Sequence, residues 1–231
     1  MAPPVIALLT DFGTRDHYVG TMKGVILGIC PGATLVDVTH DIAPQDITTG
    51  ALELAAAVPY FPAGSVFVAV VDPGVGSRRR ALAVETRGRF LVGPDNGLLS
   101  LAFAADPGFR AVSIESPSYA LPVVSRTFEG RDRFAPAAAW LATGVGLAAL
   151  GPAVHDPLRL QLPTCARQGD TLVGEVLRVD HFGNLITNIP RDAVIAIGVH
   201  VDVQLGETRA IRLVSTYADA AAGEVCALFS S

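Results

Sequence analysis

Cysteine and charge are what this sequence is short of, and each shortage removes a class of function. Its cysteines, Cys30, Cys165 and Cys226, number three and lie far apart without a C-x-x-C pair. Neither a disulfide framework nor a zinc site is expected, and they read as small apolar residues of a reducing cytoplasm. Charged residues make up only 17% of the chain and their balance is acidic, −5. A nucleic-acid partner would need a basic surface, which the short run Arg78-Arg79-Arg80 does not supply. Short catalytic signatures are missing as well. There is no nucleophile elbow, Walker loop, H-E-x-x-H or G-x-G-x-x-G after a strand, and Gly144-Val145-Gly146 follows a helical stretch, the wrong context for a nucleotide turn. Met1-Ala2-Pro3-Pro4 carries no basic leader and the apolar run behind it breaks at Thr10 and Asp11, so no secretory signal is expected. The long uncharged stretch 135–154 is punctuated by Pro136, Gly144, Gly146, Gly151 and Pro152. It reads as a buried helix followed by a loop, not as a membrane span.

What the chain has in quantity is apolar surface: half of its 231 residues are hydrophobic, enough for a substantial core. Pro4 to Thr10 (PVIALLT) and Ser65 to Val71 (SVFVAVV) are continuous apolar runs of strand length, the signature of strands buried on both faces. Helical spacing over Tyr18 to Ile29, a short strand at Thr34 to Val38 and a helix capped by Asp46 over Ile47 to Val58 make the N-terminal part βαβαβ, with a parallel sheet. Ala81 to Thr86 and Arg89 to Val92 form a hairpin around Gly88; a short helix over Leu98 to Ala104 and a strand at Ala111 to Ile114 follow. Beyond Thr164 the helical period gives way to strand alternation at Leu172 to Val179, Leu185 to Ile189, Val199 to Leu205 and Ala210 to Val214. The expected organisation is an N-terminal α/β domain, residues 1–164, with a mostly parallel sheet flanked by helices, and a small all-β, barrel-like domain, residues 165–231.

Both buried strands run into an acid followed by glycine: Thr10-Asp11-Phe12-Gly13 and Val71-Asp72-Pro73-Gly74-Val75-Gly76. In open α/β sheets, ligands bind outside the carboxyl ends of strands, and glycine lets the backbone come close to them. Taken singly, each acid also reads as an aspartate that caps its own turn. Further acids stand in Gly93-Pro94-Asp95-Asn96-Gly97, at Asp132 and in Asp180-His181-Phe182-Gly183-Asn184. Carboxylates beside aromatics suit a small ligand with a cationic centre, a ribose and a base. Clustered acids could instead hold a metal, but magnesium commonly shares its site with substrate phosphates, and no phosphate loop is visible.

The ordered set TDFG (10–13), VDPGVG (71–76), GPDNG (93–97), TFEGRDRFAPAAA (127–139) and DHFGNLITNI (180–189) resembles the S-adenosyl-L-methionine hydroxide adenosyltransferase family, relatives of the fluorinases and chlorinases, over nearly the whole chain. The resemblance implies hydrolysis of S-adenosylmethionine (SAM) to adenosine and methionine, with water attacking ribose C5′ and without cofactor or metal. It carries the catalytic roles onto Asp72, Arg79 and Glu129, the last standing where the family has histidine. Asp11 is implied to hold the ribose hydroxyls, Asp180 the methionine amino group, Phe182 and Asn184 the adenine side, and Ser230 the methionine carboxylate. It further implies a homotrimer, with sites between the N-terminal domain of one subunit and the β domain of its neighbour, in the cytoplasm that the cysteine usage suggests. The alternatives are a halogenase acting on the same carbon and, because of Glu129, a protein that binds SAM or adenosine with impaired turnover. Halogenases of the family carry a long insertion after the Asp72 motif and lack the arginine; here Arg79 is present and only about a dozen residues separate Arg80 from Gly93. A metal-dependent phosphohydrolase is a third alternative, which a chelator would expose.

Overall fold

The two uninterrupted apolar runs become neighbouring strands at the centre of a sheet. In the computed structural model, which describes residues 2–198 and 201–229, β1 (Val5–Thr10) pairs in parallel with β3 (Val66–Val70), Leu8 opposite Val68. On its other side β1 pairs in parallel with β2 (Thr34–Thr39). The helices α1 (Tyr18–Ile29) and α2 (Ile47–Ala57) make the connections. Asp46 caps α2 by accepting the Thr49 N–H at 2.9 Å. Next come β4 (Ala81–Thr86) and β5 (Arg89–Pro94), an antiparallel hairpin, then the short α3 (Ser100–Phe103) and β6 (Arg110–Ser113). The six-stranded sheet has the order β2-β1-β3-β5-β4-β6, antiparallel only where β4 meets β5 and β6.

Successive side chains of a strand face opposite ways, so two buried strands must feed two cores. Ile6, Leu8, Val66, Val68 and Val70 pack with Met22 and Ile26 of α1 and with the alanines of α4 (Ala135–Ala142). Ala7, Leu9, Phe67, Ala69 and Val71 pack on the other face with Ala51 and Leu54 of α2 and with Leu98, Leu99 and Phe103. The sheet is thus covered on both sides, as the unbroken apolar runs require.

Ahead of α4 the chain makes a π-helical turn over Gly130–Phe134. Pro136, in the first turn of α4, has no N–H to return to the Asp132 carbonyl, and that carbonyl takes the Leu121 N–H at 2.8 Å instead. Among the described residues, no helix is long and apolar enough to cross a membrane.

The chain divides into two compact units, Met1–Gln161 and Leu162–Ser231. In the second, β7 (Ala166–Gln168) pairs with β8 (Thr171–Val173), β9 (Val176–Val179) with β10 (Leu185–Thr187), and β11 (Asp202–Leu205) with β12 (Thr208–Leu213), which also meets β13 (Cys226–Ala227). Two details differ from the expected strand pattern. The run Leu172 to Val179 is two strands, because Asn188 Oδ1 takes the Glu175 N–H at 2.8 Å and the backbone at Gly174 lies against Ile189 and Asn188 too closely for any Cβ. A helix, α5 (Arg191–Ile197), follows Pro190 and ends at Gly198. Residues 199–200, the expected start of the strand at Val199, lie outside the described residues.

Candidate functional site

The order β2-β1-β3 means that the chain leaves β1 in one direction and returns past it in the other, so the switch point of the sheet lies between β1 and β3. Asp11 follows the last residue of β1 and Asp72 follows Val71 just beyond β3, which brings both acids to the same crevice. The crevice has a volume of about 360 Å³ and is lined by Asp11, Phe12, Gln45, Asp72, Phe128 and Glu129 among others.

Close contacts and hydrogen bonds hold the loops that form it. Gly76, at φ +76°, lies so close to the Arg126 carbonyl that an added Cβ would stand 2.5 Å from its oxygen, and this contact brings the Thr127–Glu129 segment against the Asp72 turn. The Asn96 side chain donates to the Val71 carbonyl at 2.9 Å, fixing the end of the Asp72 strand to the Gly93–Gly97 turn. The Asp11 turn is held from beneath. The Phe12 N–H donates to Thr10 Oγ1 at 3.2 Å, Thr10 Oγ1 and His40 Nδ1 are 2.9 Å apart, and His40 Nε2 and Asp37 Oδ1 are 2.9 Å apart. A carboxylate at Nε2 requires the proton there, which leaves Nδ1 of a neutral ring to accept the Thr10 hydroxyl. Burial opposes the Asp37 charge, but hydrogen bonds from Lys23 and His40 outweigh it and hold the carboxyl below its ordinary range. The Gln45 N–H donates to Asp11 Oδ2 at 2.8 Å, with Gln45 itself at φ +69°, an uncommon backbone conformation for a residue with a side chain.

At the crevice wall the acids and arginines form one chain of charges. Arg79 Nε donates to Asp72 Oδ1 at 3.0 Å and to Oδ2 at 3.1 Å, while its Nη2 donates to both Asp72 Oδ2 and Glu129 Oε2. These side chains are 5% (Asp72), 10% (Arg79) and 15% (Glu129) exposed, so solvent screens them little. Burial alone would weaken the Arg79 charge, but Asp72 and then Glu129 outweigh it and hold the guanidinium above its ordinary value. The Phe134 ring lies beneath it, 5.3 Å from Cζ to centroid. Phe12, Tyr18 and Phe128 form a cluster with centroids 5.1 to 6.0 Å apart, Phe128 edge-on to both of the others, and Phe12 and Phe128 present it to the crevice.

Asp11, Asp72, Arg79 and Glu129 are therefore together. Asp95 and Asp132, read as members of a ligand-binding set of acids, are not: both are buried and spent on structure. Asp95 accepts from Arg80 at 2.7 Å and from the Leu158 N–H at 2.8 Å. Asp132 accepts from Arg131 and, at 2.8 Å, from the Ser125 N–H, which pins the loop before Glu129. In the second unit, Asp180 Oδ1 accepts the N–H groups of Phe182 and Asn184, each at 2.9 Å, and Oδ2 accepts Asn184 Nδ2 at 2.7 Å. The Asn184 side chain, then backbone donors, hold Asp180 below the ordinary aspartate range, so it is a firm anion. Phe182 is 87% exposed, with no core role. Ser230 lies outside the described residues. Among the described residues no group of three or more His, Cys, Asp or Glu could hold a metal ion.

Over most of its length the chain is similar to known proteins of one family. Residues 6–151 match the SAM hydroxide adenosyltransferase N-terminal domain and residues 174–231 its C-terminal domain. The (R)-S-adenosyl-L-methionine hydrolase of Salinispora tropica is 45% identical over 225 residues, spanning 90% of this chain and 86% of that one. A fluorinase from an Actinoplanes species is 31% identical over 250 residues, 94% of this chain and 84% of its own. An uncharacterized conserved protein of Thermotoga maritima superposes with a TM-score of 0.90 at 34% identity, covering 96% of this chain and 88% of that one.

Proposed function

The chain belongs to the SAM hydroxide adenosyltransferase family, and on that premise we propose that it hydrolyses S-adenosyl-L-methionine to adenosine and L-methionine. The water oxygen bonds to ribose C5′, the C5′–S bond breaks, and its electron pair returns to sulfur, which leaves as the neutral thioether of methionine. One proton remains to be taken up. Because the sulfonium is already a good leaving group, the protein has only to hold the water in line and strip part of its solvation. This chemistry calls for neither metal nor cofactor.

The observation that carries the proposal is the chain Asp72–Arg79–Glu129 at the wall of a crevice on the sheet's switch point. Asp72, fixed on both oxygens by Arg79, orients the water and favours the cationic substrate; Glu129, with one oxygen committed to Arg79, accepts the proton through the other. Asp11 takes the ribose hydroxyls. Asp180 receives the methionine amino group, with Phe182, Asn184 and Ser230 around the rest of the ligand. A cytoplasmic homotrimer, in which a neighbouring subunit brings those last residues to the site, belongs to the same proposal. Support for it is the family resemblance and the exposure of Phe182.

Incubation with SAM and chromatography of the products, with and without halide and with and without chelator, tests the reaction. Adenosine under all conditions is the expected result. A 5′-halogenated adenosine would favour the halogenase reading, to which the 31% identical fluorinase gives a lesser weight than the 45% identical hydrolase. Calorimetric SAM binding without product would leave a binding protein. Equal adenosine release by the unaltered chain, Glu129→His and Glu129→Ala would remove Glu129 from the mechanism.

A further inference from the structure

Glu129 has two cations beside it, not one. While Oε2 is held by Arg79, Oε1 lies 3.6 Å from Nε of Arg133, four residues further along the π-helical turn. Arg133 is anchored at its far end, Nη1 donating to the Ile114 carbonyl at 2.7 Å. Its Nε is buried and has no hydrogen-bond partner among the described residues. A buried charged donor left without an acceptor is costly, and the nearby charge that offsets it is the Glu129 carboxylate. Arg133 is not among the residues that line the crevice, whereas Glu129 is.

We propose that Arg133 is a positioning residue: its charge steadies the Glu129 carboxylate from the Oε1 side and offsets the negative charge that Glu129 adds beside Asp72, while Oε1, with no hydrogen bond to Arg133, stays open to take the proton. The four side chains then alternate in sign, Asp72, Arg79, Glu129, Arg133. Without Arg133, two carboxylates would share the single guanidinium of Arg79. Glu129 would turn about its Arg79 contact, and its free oxygen would no longer be aimed by the wall behind it. The pairing has a second consequence. Removing Glu129 alone leaves the Arg133 cation unbalanced behind the wall of a site that must accept a sulfonium, so single substitutions of Glu129 overstate its own part in the reaction. The inference rests on the hydrolase reading of the site, and its test separates the two.

Adenosine release and thermal unfolding are measured for the unaltered chain, Glu129→Gln, Arg133→Met, Arg133→Lys and the double variant Glu129→Gln/Arg133→Met. Arg133→Met is expected to lower kcat by about tenfold with KM changed by no more than about twofold, and Glu129→Gln to cost less beside Arg133→Met than alone. Arg133→Lys, which keeps the cation, should recover most of the lost kcat. Unchanged kcat in Arg133→Met, additive effects in the double variant, or no rescue by lysine overturns the proposal. Should Arg133→Met not fold, Arg133→Gln replaces it: a folded glutamine variant as active as the lysine variant overturns it equally. If the unaltered chain releases no adenosine, the hydrolase reading fails. The pair is then judged by the unfolding cycle, in which additive shifts reject it and non-additive shifts sustain the coupling.

Discussion

The least replaceable side chain of the crevice is Arg79, because it serves two acids at once through a rigid fork. Lysine carries the charge but not the fork, so it can satisfy Asp72 or Glu129 and not both in the present geometry. Arg79→Lys is expected to lower kcat by at least about tenfold, and Arg79→Met, which leaves two facing carboxylates, to lose about a hundredfold or more, as steady-state adenosine release would measure. Rates unchanged by either substitution would contradict the roles given to this pair. Asp180 makes a second prediction at this scale. Its folded-state pKa is depressed by Asn184 and by the turn's N–H groups, so its contribution to stability is complete above the unfolded-state value and disappears as pH falls through the folded one. Carbon-detected titration of its carboxyl should give a midpoint below the ordinary aspartate value of about 3.9, and Asn184→Ala should move it upward. A midpoint at or above the ordinary value would show that the turn does not hold the anion. Much of the arrangement was legible beforehand: Asp11, Asp72 and Glu129 stand in motifs, Arg79 stands seven residues beyond Asp72, and the structure brings the four together. Asp95 and Asp132 were misread because a sequence does not disclose that an acid's partner lies behind it, here Arg80 and Arg131. Arg133 carried a signal, its i,i+4 spacing from Glu129, that is easily taken for a solvated surface pair.

At the scale of elements, the crevice depends on two turns that cannot be varied freely. Gly76 has a left-handed backbone and no room for a Cβ against the Arg126 carbonyl. Gly76→Ala should cost about 2–4 kcal/mol in chemical denaturation and displace the Glu129 segment, lowering turnover with it. A variant of undiminished stability would mean that the two loops need not touch. The Asp11 turn rests on Thr10, His40 and Asp37. His40→Phe keeps the bulk and removes both hydrogen bonds, leaving the proton of the buried Thr10 hydroxyl without its acceptor, at a cost of about 1–3 kcal/mol. If Asp11 holds the ribose, the same variant raises KM for SAM more than it lowers kcat; the reverse split would assign the turn to the chemical step. The central strands were readable because burial on both faces leaves a continuous apolar run, which no turn or surface helix imitates. The second unit was harder. Pro190 and Gly198 bracket α5 as start and stop signals, yet its seven residues are too few for a helical period to stand out from neighbouring strands. The break at Gly174 comes from Asn188, a residue of the returning chain, and no local pattern encodes it.

For the molecule as a whole, the parallel order β2-β1-β3 explains why acids separated by sixty-one positions, Asp11 and Asp72, share one crevice. The two compact units match the two domain models of the family along the same chain. Sedimentation equilibrium is expected to give the mass of a trimer; a monomer that turns over SAM at the full rate would contradict the shared site. The most direct measurement is a single incubation with SAM in oxygen-18 water, with halide present, followed by mass analysis of the nucleoside. Attack by water at C5′, organised by Asp72, Arg79 and Glu129, predicts adenosine carrying the label at its 5′ oxygen, and none from Asp72→Asn. Methylthioadenosine, a 5′-halogenated nucleoside, or labelled adenosine in equal amount from Asp72→Asn would contradict it.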